Sequence, residues 1–96
     1  MEATGLHVPG VSPDWHPPEG CKVIAAGTPL DGIRTAVAIV LCERHRPMDT
    51  AMIGEPYEYV TGDVYAHTLE GWGNGHYFFD EDDATYDYRV RMERGY

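Results

Sequence analysis

The sequence predicts an α+β domain, an antiparallel sheet of four or five strands built as a hairpin plus a meander, with one C-terminal helix packed on a face of it. Three observations lead there. Two Val/Ile/Ala-rich runs flank the turn dipeptide Asp31-Gly32, short alternating segments follow between residues 57 and 79, and the last stretch orders its charges as helix ends require. A chain of 96 residues has room for one such core, and 43% apolar beside 24% charged residues is ordinary globular usage.

Residues 1–20 read as an extended arm preceding a single domain over residues 21–96. In the arm, Pro9, Pro13, Pro17 and Pro18 fix φ and remove donors, while Gly5, Gly10 and Gly20 favour turns. Trp15 is its one large anchor, because an indole buries well over ~100 Å² against a sheet.

The hairpin runs from Cys21 to Gly27 and from Ile33 to Cys42, with Asp31-Gly32 as a type I′ turn. Pairing Leu30 with Ile33 sets Ile24 opposite Ile39, Val23 opposite Val40 and Cys21 opposite Cys42. Val23, Ala25, Ala38 and Val40 then face one way, and Ile24, Ala26, Val37, Ile39 and Leu41 the other. Both faces are apolar and one helix covers only one of them, so the second calls for the arm, a partner or another copy of the chain. A helix is the competing reading of residues 32–45: Asp31 as N-cap, Ile33, Val37, Val40 and Leu41 on one face, and Arg44 to Arg46 ahead of Pro47. The β-branched composition favours the strand.

Beyond Pro47-Met48-Asp49, alternation returns in Tyr57 to Thr61, Val64 to Leu69 and His76 to Phe79, with Gly62-Asp63 and Gly73-Asn74-Gly75 as the turns between them. Asp80 to Gly95 reads as the helix. Asp80 is its N-cap, Glu81, Asp82 and Asp83 load the first turn, and Arg89, Arg91 and Arg94 the last ones. Ala84, Tyr88 and Arg91 or Met92 form a thin stripe facing the sheet.

Sixteen acidic against seven basic residues give a formal net charge of −9, and the basic ones are scattered. Direct nucleic-acid binding needs a basic stripe, so it is disfavoured, whereas a protein with a basic surface is a fitting partner. The longest uncharged apolar run, Ala36 to Cys42, is far shorter than the ~20 residues a membrane span requires. The N-terminus lacks the pattern of a secretory leader, so a cytoplasmic location is expected, and two cysteines do not make a disulfide framework.

Motifs for chemistry are sparse. Cys42 and His45 form a Cys-x-x-His pair to which Cys21 and His67 or His76 could be added, but the spacing matches no zinc module, and reduced thiols are expected instead. Ser12 lies in the arm with no nucleophile-elbow context, and no histidine sits in a general-base motif. Gly71-Trp72-Gly73-Asn74-Gly75 lies between strand-like segments, which suits a hairpin loop rather than a phosphate-binding loop. No cofactor, metal or catalytic residue is expected.

The remaining signal is the coincidence of carboxylates and aromatic rings after residue 55. Helix capping accounts for much of the acidic run, and core filling for Tyr59, Tyr65 and Tyr77. What is left predicts a partner-binding surface formed by Trp72, Asp80, Glu81, Asp82, Asp83 and Asp87. The expectation is a small acidic protein-interaction module, an inhibitor or adaptor that occupies a basic, nucleic-acid-binding type of surface on a larger protein. An assembly subunit that contacts its neighbours through the arm, and a small thiol or metal-dependent enzyme, are the alternatives.

Overall fold

The computed structural model describes residues 8–30, 36–45 and 57–93. Within them the chain forms strands β1 (Cys21–Gly27), β2 (Ala38–His45), β3 (Tyr57–Val64) and β4 (Gly73–Phe78), followed by helix α1 (Glu81–Glu93). The strands form one antiparallel sheet in the order β1-β2-β3-β4, and α1 packs on one face: the α+β architecture of the sequence, with four strands. No described helix is long and apolar enough to cross a membrane.

β1 and β2 pair as the hairpin requires, but the register differs from the expected one. Cys21 stands opposite Arg44 and Val23 opposite Cys42, so the two thiols are diagonal rather than face to face. β1 ends at Gly27 and β2 begins at Ala38, whereas the expected second strand runs from Ile33 to Cys42. Asp31-Gly32 itself lies outside the described residues.

The register shifts once more between Val23 and Ala25, where Ile24 is the extra residue of a β-bulge. One inserted residue exchanges the faces of everything after it. Ala26 therefore joins Val23, Ala38, Val40 and Cys42 on one face, while Ala25 joins Ile24 and Leu41 on the other, the reverse of the simple alternation expected for Ala25 and Ala26.

The meander is also divided differently. Gly62-Asp63 is no turn but the interior of β3, and Gly73-Asn74-Gly75 opens β4, while of the expected strand from Val64 to Leu69 only Val64 is in a strand, as the last residue of β3, and residues 65–69 are loop. Tertiary contacts override each turn signal. A Cβ at Gly62 would stand 2.4 Å from Trp72 Cγ, so the glycine is needed for close approach of the indole. Asp63 is held by an ion pair described below. Asn74, at φ 52°, supplies the extra residue of a second bulge, since two steps along β3 from Thr61 to Asp63 match three along β4 from His76 to Gly73.

The face away from the helix carries Val23, Ala38, Val40, Cys42, Val60 and Val64, and is covered by Val8, Val11, Trp15 and Trp72. Trp15 Nε1 donates to the Gly71 carbonyl at 2.8 Å, and His16 bridges residues 69–71 through its backbone N–H and C=O. The helix face carries Leu41, Tyr59 and Phe78 beneath Ala84 and Tyr88.

Candidate functional site

Asp80 starts α1 as the sequence leads one to expect: its Oδ1 accepts the Asp82 N–H at 3.2 Å and its carbonyl the Ala84 N–H at 3.1 Å. Glu81, Asp82 and Asp83 fill the first turn, where the helix dipole favours negative charge, and all four carboxylates are exposed. Two of the exposed aromatic rings adjoin them, Phe79 at 61% and, one turn along, Tyr86 at 71%.

Asp87 does not belong to that surface. It is turned towards the sheet with Ala84 and Arg91, the residues at i, i+3 and i+7 that α1 buries. The sequence grouped it with the solvated acids; the positions of Ala84 and Arg91 on the same helical stripe were the signal that it faces inward.

Around Asp87 lies a polar cluster that single-residue motifs did not disclose. Arg91, only 1% exposed, donates from Nη1 to Asp63 Oδ1 at 2.8 Å, from Nε to Asp87 Oδ2 at 3.3 Å and from Nη2 to the Asn74 carbonyl. Thr61 Oγ1 donates to Asp87, and Asn74 Nδ2 donates to Asp63 Oδ2 at 3.0 Å. His76 Nδ1 lies 3.3 Å from both Asp87 oxygens at the mouth of the cluster. Buried charges are tolerated when paired and hydrogen-bonded on every side, and this arrangement seats the C-terminal half of α1. A His–carboxylate pair is one component of acid–base machinery, but the hydroxyl beside it, that of Thr61, is fully buried and donates to the carboxylate.

On the opposite face of the sheet is a cleft of about 340 Å³. Its floor crosses all four strands, through Cys21, Arg44, Glu58, Val60 and Tyr77. Its roof is the arm and the β3–β4 loop, through Pro18, Glu70, Gly71 and Trp72. Arg44 Nη2 donates to Glu58 Oε1, and this bond holds the guanidinium still more firmly protonated than usual. Burial pushes the Cys21 thiol up, outweighing the opposing pull of Arg44. Cys42, deeper in the same face, is pushed up to about 12 by burial and then by Cys21, so both sulfurs are thiols at neutral pH.

Trp72 is thus a half-buried wall of this cleft, one sheet layer away from the acidic run. The two nevertheless share one end of the molecule. Tyr77 lines the cleft and is 58% exposed, and three residues on, within at most about 11 Å of chain, Asp80 caps the helix. Arg44, Glu58, Glu70 and Tyr77 are cleft residues that sequence reasoning missed, because strand register and loop return bring them together and no local pattern encodes it.

Among the described residues, no group of three or more His, Cys, Asp or Glu side chains is placed to hold a metal ion. His45 instead meets Tyr57 edge to face at 5.2 Å between ring centroids. The chain matches no protein-family model, no curated protein and no solved structure.

Proposed function

We propose that the chain is a small acidic protein-interaction module that occupies a basic surface of a larger protein, as an inhibitor or adaptor. The observation that carries this reading is the end of the molecule where β4 runs into α1: four exposed carboxylates, Asp80 to Asp83, adjoin the exposed rings of Phe79 and Tyr86. Carboxylates steer encounter with a positive surface and aromatic rings supply contact area at low entropic cost, which together is the composition of an interface. Among the described residues, Arg44 and Arg91 are paired internally with Glu58, Asp63 and Asp87, and the formal net charge remains −9. Surfaces that ordinarily meet nucleic acid have the matching charge.

The assembly-subunit alternative rests on an arm that reaches a neighbour. Residues 8–20 instead cover the chain's own sheet through Val8, Val11 and Trp15, which lends that alternative no support.

The test is charge reversal at Asp82 and Asp83, both exposed and outside the buried cluster. With wild type and Asp82→Lys/Asp83→Lys as parallel baits in a native extract, a protein held by wild type at low salt should be released at high salt and be absent from the variant. Equal retention by both baits overturns the acidic-surface reading.

A further inference from the structure

We propose that the cleft roofed by Trp72 receives one arginine side chain of the basic partner, its guanidinium lying between the aromatic walls and the Glu70 carboxylate. This rests on the reading of the partner as basic and assigns a seat for one of its side chains. The charges in the cleft decide the sign of the occupant. Arg44 is already paired with Glu58, whereas the Glu70 carboxylate has no hydrogen bond or ion pair among the described residues. One negative charge is therefore left over, inside a chain whose own net charge is −9. The walls fit the same occupant: Trp72 and Tyr77 line the cleft, and a planar guanidinium stacks on aromatic rings while it forks onto a carboxylate, which an ammonium does less well.

Size permits it as well. At about 340 Å³ the cleft lies at the small end of ligand sites and is large enough to admit one side chain. The cleft also lies near the end of the sheet at which β4 leads into the acidic turn, because Tyr77 lines it and Asp80 follows three residues on.

The experiment uses N-acetyl-arginine amide as probe, titrated into the full chain at constant ionic strength, with the indole N–H signals of Trp15 and Trp72 followed by NMR. N-acetyl-citrulline amide, neutral and nearly isosteric, and N-acetyl-lysine amide are the comparison probes. The expected result is a saturable shift of the Trp72 signal with the arginine probe, at least about fivefold weaker with the lysine probe and lost with citrulline. Glu70→Gln, at an exposed position, should retain the spectrum of the fold and weaken the arginine probe by about fivefold or more. No saturable shift, an equal response to citrulline or lysine, or unchanged binding in Glu70→Gln overturns the assignment. The two readings fail separately. Loss of probe binding leaves the Asp82/Asp83 bait result standing, and equal retention of the baits leaves probe binding standing.

Discussion

The two faces of the sheet are both buried, but by different chemistry. Away from the helix, Val23, Val40, Cys42, Val60 and Val64 meet Val8, Trp15 and Trp72 in a layer held by apolar contact, latched by the Trp15 indole hydrogen bond and the two backbone bonds of His16. Beneath the helix, the N-terminal half of α1 rests on Leu41, Tyr59 and Phe78, and its C-terminal half on Asp63, ion-paired with Arg91, and on Thr61, whose hydroxyl donates to Asp87. Apolar burial is non-directional and tolerates sliding, whereas a guanidinium locked between two carboxylates accepts one position. The helix is thus fixed in register by charge, and the arm is held in place by area. That difference leaves α1 able to present its acidic first turn in a constant orientation.

The sharpest way to break this contrast is at Arg91. Arg91→Ala strands Asp63, which is fully buried, together with Asp87, and loss of one partner of a buried pair costs about 3–5 kcal/mol. The drop should appear in equilibrium denaturation as a lower midpoint, and its absence would mean that the helix is seated by apolar contact alone.

On the other face the test is overpacking. Gly62→Ala places a methyl 2.4 to 2.8 Å from Trp72 Cγ, Cβ and Cδ1, so the indole must move, at a cost of about 1–3 kcal/mol. The same variant should alter the Trp72 signal and leave the helix-face amides nearly unchanged. Disturbance of both faces alike would show them to be one cooperative layer.

Alkali sharpens the comparison further. Cys42 is raised in the fold from 9.0 to about 12 by burial, so above pH 9 the unfolded chain releases this proton and the native one retains it. Fewer protons bound in the unfolded state make stability fall as pH rises, by up to about 1.4 kcal/mol per pH unit between those two values. Cys42→Ala should remove that component of the alkaline slope in urea titrations at pH 8 to 10.5. An identical slope would mean that the thiol is not sealed from water.

What the sequence disclosed was whatever local chemistry determines. The bounds of β1, the Asp80 cap and the antiparallel class followed from β-branched runs, a capping residue and charge order. Hidden were features in which a residue's local preference yields to a distant partner. Gly62 and Asp63 carry a turn signal, yet one is a glycine for the sake of Trp72 and the other an aspartate for the sake of Arg91. Asn74 adopts the left-handed backbone that a turn would use and spends it on a bulge that aims its amide at Asp63. In the candidate surface, the exposed positions of Asp80 to Asp83 were legible from the capping pattern. Asp87 was not separated from them, because acidity was weighed ahead of the helical period that places it beside Ala84 and Arg91.

The Trp15–Gly71 latch also orders events in time. It joins positions 56 apart in the chain, whereas each strand of the meander pairs with its sequence neighbour. Nearby segments find one another sooner than remote ones, since loop closure over a long stretch costs more entropy and contributes to slow folding. Residues 15 and 16 are also synthesised before residues 69–71 exist to receive them. The arm is therefore an early product that docks late, and until it docks the valines of β1, β2 and β3 form the sticky side of a half-finished domain.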